Sequence, residues 1–142
     1  MTINEQAVQQ FRETVWEYYA RFGRHDLPWR QPGGDGDFDS YRILVSEIML
    51  QQTQVARVIP KFLAFLTTFP DLAGLARAEL GDVLRMWSGL GYNRRAKFLW
   101  QTAAIVRDAY HGELPRTVGE LTRLPGIGFI RPLSQPHRVS LR

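Results

Sequence analysis

Residues 41–51 (YRILVSEIMLQ) constrain the fold of this chain more than any other segment. In a helical projection they place apolar side chains on almost every face, which is typical of a helix buried inside a protein. No segment alternates apolar and polar residues as a half-buried strand does. We therefore expect an all-α fold with residues 41–51 as its central helix, capped by Asp39 or Ser40.

Apolar residues spaced three and four apart predict further helices around this one. We expect them over residues 4–22, 54–68, 72–78, 79–87 and 93–110, with a short helix after Thr117. The stripe on the first helix consists of Val8, Phe11, Val15, Tyr19 and Phe22.

Local signals set the ends of several of these helices. Asp71 can cap the helix over 72–78, and Thr117 with Glu120 forms a capping-box pair. Gly112 is expected to end the long helix, and Pro60 to kink its helix or open a new one. Because Pro28 restricts the residue before it, residues 27–30 (LPWR) should be an extended or turn segment.

Composition bounds the class of protein. The 142 residues suit one domain, and 44% hydrophobic residues allow a core. The net charge of +4 comes from residues 121–142, since residues 1–120 carry as many acidic as basic side chains. An argument for nucleic-acid binding must therefore rest on local clusters. We find no membrane span and no secretory signal, and we expect a cytoplasmic, bacterial-type protein.

The chain contains no cysteine, which excludes disulfides, thiolate metal sites and iron–sulfur ligation by its own residues. The three histidines, His25, His111 and His137, show no metal-ligand spacing. We therefore expect no metal site and no cofactor bound by this chain.

Glu47 is the first candidate functional residue. On the buried helix it lies between Ile43, Leu44 and Leu50. A carboxylate there is costly unless it is paired, hydrogen-bonded or protonated, and an apolar setting that favours the protonated form makes it a usable general acid. From the helix alone, a structural ion pair with an arginine at the edge of the core is the favoured explanation.

Three further segments have a functional and a structural interpretation. The amides of QQTQ (51–54) can bond base edges, or simply end a helix. The glycines of LPGIG (124–128) can cradle a phosphate, or form a plain helix end. In GLGYNRRAK (89–97), Tyr92 beside Arg94, Arg95 and Lys97 can wedge between bases, or lie in a solvated charged turn.

Together, five segments resemble the MutY family of adenine DNA glycosylases, which belongs to the helix-hairpin-helix glycosylase superfamily. They are LPWR (27–30), SEIMLQQTQV (46–55), IPKF (59–62), GLGY (89–92) and LPGIG (124–128). The resemblance implies an incomplete helix-hairpin-helix glycosylase fold, with the N-terminal helix and most of the six-helix barrel domain over residues 1–128. We expect residues 129–142 to be a disordered tail outside the family's sequence.

The resemblance also implies roles. Glu47 corresponds to the acid that protonates the flipped adenine, Arg30 to a pocket and DNA contact, and Tyr92 to the wedge beside the opposite guanine. Leu50, Gln51, Gln52, Thr53 and Val55 correspond to residues that open the mismatch and contact the oxidised guanine. Gly126 and Gly128 correspond to the hairpin that holds backbone phosphate.

Other family features are missing from this sequence. The family's catalytic Asp lies downstream of the hairpin, whereas no acid follows Glu120, and the four cysteines of the family's 4Fe–4S cluster are absent. We expect a truncated or frameshifted product that is weakly active or inactive. Its first helix would lose its partner and leave an apolar patch that drives self-association.

The expected partner is double-stranded DNA with adenine opposite 8-oxoguanine or guanine, in a bacterial-type, nucleoid-associated setting without a membrane. Two alternatives stay open. An endonuclease III-like lyase would carry a Lys just after the hairpin, where Phe129, Ile130 and Arg131 stand here, and usually lacks the acid at Glu47. A non-catalytic DNA-binding module needs no second carboxylate.

Overall fold

The computed structural model describes residues 4–128, and these form helices without a strand. The predicted tail at 129–142 lies outside the described residues. The helices are α1 (Glu5–Phe22), α2 (Ser40–Leu50), α3 (Val55–Thr68), α4 (Leu72–Arg77), α5 (Leu80–Trp87), α6 (Arg94–Ala109) and α7 (Val118–Leu121), with a 3₁₀ turn at Pro28–Arg30. The all-α prediction is confirmed.

The chain divides into two compact units, residues 1–31 and 32–142, and each is described by itself. The first contains α1, whose N-terminus is capped by the Asn4 side chain accepting from the Gln6 amide at 3.0 Å. No residue of α1 is buried, and its large apolar side chains are exposed, with Phe11 at 69% and Trp16 at 65%. The predicted apolar patch on this helix is therefore present.

The second unit is built around α6, which packs against α2, α4 and α5, while α3 packs against α2 and α5. Its core contains fully buried side chains from five helices: Val45, Ile48, Met49, Val58, Phe62, Phe65, Leu75, Val83, Trp87, Leu99 and Val106. Helix α2 contributes several buried residues to this core, as expected of a central helix, but it leaves Ile43 and Glu47 exposed.

The predicted caps are confirmed by their hydrogen bonds. Asp39 accepts from the Tyr41 amide at 2.8 Å, and Asp71 accepts from the Gly74 amide at 2.6 Å. Thr117 accepts from the backbone amide of Glu120 at 3.3 Å and donates its hydroxyl to the Glu120 carboxylate at 2.5 Å. The three bonds from backbone amides satisfy donors that the first turn of a helix leaves without a partner, and the bond to the Glu120 carboxylate holds the Thr117 hydroxyl in place.

Two other helix features are informative. Gly112, with φ +86°, donates its amide to the Val106 carbonyl at 3.0 Å and closes α6, as predicted. Pro60 lies inside α3, which runs on through it without ending. Proline at the sixth position of this helix cannot donate to the Ala56 carbonyl, and the helix continues with one backbone hydrogen bond fewer.

Tyr41 ties α2 to the end of α3. It is 5% exposed, and its hydroxyl donates to the Phe69 carbonyl at 2.8 Å. Burial, with smaller contributions from the Asp71 and Asp39 carboxylates, raises the pKa of Tyr41 well above its usual value. The folded state therefore favours the neutral phenol of Tyr41 over the phenolate.

Candidate functional site

The polar segment after α2 forms a tight connection to α3. Gln52 has φ +56°, and the Thr53 amide donates to the Leu50 carbonyl at 3.3 Å. Helix α3 then starts at Val55, with Gln54 as its N-cap. Since Gln52 is exposed and Gln51 half-buried, this connection presents amide side chains at the surface while its backbone is constrained.

The turn between α5 and α6 is constrained in the same way. Gly89, Gly91 and Tyr92 have φ of +92°, +73° and +50°. The indole nitrogen of the fully buried Trp87 donates to the Gly91 carbonyl at 3.2 Å, which anchors the turn to the core. The Tyr92 side chain itself is 65% exposed, so an aromatic ring stands at the surface on a fixed backbone.

The LPGIG segment packs on α6 and reaches the connection after α2. Thr102, fully buried on α6, donates its hydroxyl to the Pro125 carbonyl at 2.9 Å. The Gln51 side-chain amide donates to the Gly126 carbonyl at 3.4 Å. Gly126 has φ +81°, and a Cβ built on Gly128 would lie 2.6 Å from the Thr122 carbonyl oxygen, so both positions favour glycine.

These three segments meet at one cavity of about 240 Å³. Its lining residues are Gln51, Gln52, Tyr92, Arg94, Arg95, Phe98 and Gly126. A second, more open groove of about 740 Å³ shares Gln52 and Tyr92 with the cavity. These two residues therefore border both depressions, and we call them the Gln52–Tyr92 ridge.

Basic side chains stand on both sides of this ridge. Arg94 is exposed on the side of the cavity, with its guanidinium 5.9 Å from the centre of the Phe98 ring. The groove on the other side is lined in part by Arg57 and Arg85. Arg57 is exposed, while Arg85 pairs with Asp82 in the first turn of α5. The site thus offers positive charge near exposed amide and aromatic groups.

Glu47 requires a correction. The sequence predicted a carboxylate held out of water, but Glu47 is exposed. Helices α3 and α6 cover the opposite side of α2, and the face with Ile43 and Glu47 stays open, with Ile43 38% exposed. Within residues 4–128 no cation lies at ion-pair distance from this carboxylate, so the alternative of a structural ion pair is not seen either.

Glu47 is not among the residues that line the cavity, but it precedes Gln51 by one helical turn on the same face of α2. Arg30 belongs to the other unit, where it is exposed and its guanidinium donates to the Arg24 carbonyl at 3.1 Å. Its predicted pocket role stays a prediction, as do the roles assigned to the remaining site residues.

Sequence reasoning misassigned Arg95. It was grouped with Arg94 as a charge on a solvated or phosphate-binding turn, but its side chain is only 8% exposed. A usable sign was present in the sequence, because Arg95 precedes Leu99 by four residues and so shares the inward-facing side of α6.

Residues 4–128 contain no group of three or more His, Asp or Glu that could hold a metal ion. A 4Fe–4S cluster needs thiolate ligands, and the sequence has no cysteine, so the residues present do not fit that cofactor. Among the described helices, none is both long and apolar enough to span a bilayer.

Comparison with known proteins points to one family. Residues 45–137 match the family described as HhH-GPD superfamily base excision DNA repair protein. The chain is 41% identical over 118 residues to the adenine DNA glycosylase of Buchnera aphidicola subsp. Baizongia pistaciae, an alignment that covers 83% of this chain and 32% of that protein. It is 47% identical over 105 residues to the adenine DNA glycosylase of Mycolicibacterium smegmatis, covering 74% of this chain and 34% of the relative.

A solved structure shows the same fold. The chain resembles a thermostable thymine-DNA glycosylase with a TM-score of 0.73 and 26% identity, covering 84% of this chain and 52% of that one. The chain spans about a third of the length of the two curated relatives. These findings confirm the fold and the family resemblance that the sequence predicted, while the domain boundary at residue 128 stays a prediction.

Proposed function

The chain belongs to the HhH-GPD superfamily of base excision DNA repair proteins, and on that premise we propose that it is part of an adenine DNA glycosylase. Such an enzyme would hydrolyse the N-glycosidic bond of adenine mispaired with 8-oxoguanine or guanine. The shared name of both curated relatives supports adenine as the base. DNA with such a mismatch is then the partner, and the bacterial nucleoid in the cytoplasm is the setting we propose.

One observation carries the proposal: three distant segments converge on the Gln52–Tyr92 ridge and its cavity. Gln51 supplies an amide that both donates and accepts, as base edges require. Tyr92 supplies an exposed ring that can stack on a base or enter an opened step. Gly126 brings the LPGIG turn to the same cavity, because the absence of a side chain lets the turn pack closely against Phe98.

Positive charge beside the ridge supports duplex binding. Arg94 on one side and Arg57 on the other lie where the two strands of a duplex would pass if the ridge entered between bases. Most protein–DNA hydrogen bonds go to phosphate and sugar, and they set the orientation of the protein. We assign these two arginines, with the glycines at 126 and 128, to the phosphate backbone.

Glu47 is the general acid of the proposed reaction. The glycosidic bond breaks with oxocarbenium character on the sugar, and the proton of Glu47 goes to the departing adenine. Water then adds to the sugar carbon and gives up a proton to the Glu47 carboxylate, which restores the acid. The exposed face with Ile43 and Glu47 suits this role, because an extruded purine lying over it would exclude water only when substrate is bound. The second carboxylate that the resemblance places downstream has no counterpart after Glu120.

Binding and chemistry are tested together. The purified chain is mixed with a duplex that contains adenine opposite 8-oxoguanine, binding is measured at several salt concentrations, and abasic sites are cleaved with alkali. We expect salt-dependent binding with little or no adenine release. Glu47→Gln is compared with Glu113→Gln, an exposed carboxylate on a loop outside the site. Absence of duplex binding by the unmodified chain would contradict the proposal.

Strong adenine release that is lost in Glu47→Gln and kept in Glu113→Gln would contradict our expectation of weak activity. It would show that this chain carries out the chemistry without the downstream carboxylate. Release of oxidised pyrimidines instead of adenine would favour the endonuclease III-like alternative.

A second candidate function is a DNA-binding module without catalysis. The exposed position of Glu47, which does not line the cavity, favours it, and mismatch binding without base release, equal in Glu47→Gln, would support it. The exposed apolar side chains of α1 also lead us to propose that the isolated chain self-associates. Sedimentation should show mass increasing with concentration, and Phe11→Ser should reduce it; a monomer at all concentrations would refute self-association.

A further inference from the structure

We propose that Arg95 is a positioning residue that holds the Gln52–Tyr92 ridge in the shape that mismatch binding requires, an inference that rests on the proposed function. Arg95 lies in the first turn of α6 and is 8% exposed. Arg95 lines the cavity. Its guanidinium donates to backbone carbonyls of two neighbouring segments, so we expect it to affect DNA binding through the positions of those segments.

The first group of contacts is with the end of α2. The Nη1 atom of Arg95 donates to the carbonyls of Ile48 at 3.0 Å, Met49 at 2.9 Å and Gln51, while Nη2 donates to the Thr53 hydroxyl at 3.0 Å. The last carbonyls of a helix have no partner within the helix, and a cation there also complements the helix dipole. Arg95 therefore satisfies carbonyls at the C-terminal end of α2 from a position more than forty residues away in sequence.

The second group of contacts is with the turn that carries Tyr92. Nη2 of Arg95 also donates to the carbonyls of Leu90 at 3.3 Å and Gly91 at 3.2 Å. The guanidinium lies 5.6 Å from the centre of the Trp87 ring and 5.5 Å from that of Tyr92. One planar fork of donors thus joins two loops, which a lysine ammonium with three donors on one atom cannot do in the same geometry.

The charge of Arg95 is balanced by dipoles. Within residues 4–128 no carboxylate lies at ion-pair distance from it. Burial lowers the pKa of Arg95 from its usual value, but arginine begins so high that the side chain stays charged near neutral pH. Carbonyl groups and aromatic faces stabilise that charge. The loop at residues 51–53 and the turn at residues 89–92 are therefore held close to the same guanidinium.

The strained residues of the ridge lie beside these contacts. Gln52 stands between Gln51 and Thr53, and Tyr92 follows Gly91; both have positive φ, which side chains other than glycine rarely adopt. Such conformations persist when surrounding structure enforces them. The contacts of Arg95 on either loop provide that enforcement, so its loss lets both residues relax and separates the two halves of the ridge.

The test compares Arg95→Met and Arg95→Lys with the matched variants Arg94→Met and Arg94→Lys, an exposed neighbour on the same cavity. Binding of the full chain is measured for a duplex with adenine opposite 8-oxoguanine and for a fully paired duplex, over a range of salt concentrations. We expect Arg95→Met to reduce the preference for the mismatch about tenfold, the size of one lost base contact, with an unchanged salt slope. Arg94→Met should keep the preference and lower the salt slope by about one.

Two results would overturn the inference. One is a folded Arg95→Met chain with unchanged preference, and the other is a lower salt slope for Arg95→Met, which would place Arg95 on a phosphate. Should Arg95→Met fail to fold, Arg95→Lys retains the cation and is expected to show a smaller loss of preference. A preference for the mismatch as high as that of the unmodified chain in a folded Arg95→Lys would equally refute it.

Hydrogen exchange separates this inference from the proposed function. In Arg95→Lys we expect faster amide exchange at residues 51–53 and 89–92, with no change in α4. Uniformly faster exchange would mean general destabilisation and would refute a positioning role. If the unmodified chain does not bind DNA, the proposed function fails, but the exchange pattern still reports whether Arg95 holds the two loops.

Discussion

Gly126→Ala is the substitution whose effect follows most directly from the geometry. Gly126 has φ +81°, and a Cβ at this position would lie 3.0 Å from Cβ of Phe98. The left-handed conformation costs an alanine about 1–2 kcal/mol. The lower entropy of the unfolded alanine chain offsets about 0.4–1 kcal/mol of this cost. Because Cβ of Phe98 is fixed to the α6 backbone, the contact adds about 1 kcal/mol of packing strain. We expect a total loss of about 2 kcal/mol in the free energy of unfolding.

Gly112→Ala is the matched control. Gly112 has φ +86°, and a Cβ there meets no atom within 4 Å, so it carries the conformational cost alone. Urea unfolding followed by circular dichroism measures both variants. The expected difference of about 1 kcal/mol corresponds to a Tm difference of about 4 °C for a chain of this size. An equal loss of unfolding free energy in the two variants would show that Phe98 does not restrict the turn. A Gly126→Ala variant as stable as the unmodified chain would refute the left-handed conformation of Gly126.

Three further predictions follow from single contacts. Tyr41→Phe should lower the free energy of unfolding by about 1 kcal/mol at pH 7, since the Phe69 carbonyl loses its partner. Because the folded state raises the pKa of Tyr41, the free energy of unfolding should fall as pH rises above about 10, and it should fall less in Tyr41→Phe. Urea unfolding at pH 7–11 measures both proteins, and an equal fall in the two would contradict this. Asp71→Ala should cost about 1 kcal/mol by freeing the Gly74 amide, read as a lower Tm, whereas an unchanged Tm would show that the cap is dispensable. Arg57→Gln should lower the salt slope of duplex binding by about one, and an unchanged slope would remove Arg57 from the DNA path.

The residues next to each other in the sequence determined where the helices lie and where most of them begin. Asp39, Asp71 and Thr117 precede helices whose first amides need an acceptor, and each caps its helix as predicted. These features depend on residues within one turn of each other, so a sequence pattern is enough to identify them. The family motifs could also be identified from the sequence, because each consists of a few consecutive residues.

Only the tertiary structure decided which faces are covered. Glu47 is surrounded by apolar neighbours on its own helix, yet it is exposed because α3 and α6 pack on the other side of α2. Arg95 has charged neighbours in sequence, yet it is buried because the end of α2 brings carbonyls to it. Burial is a property of the elements that meet a side chain, and those elements come from parts of the chain that its local pattern does not contain.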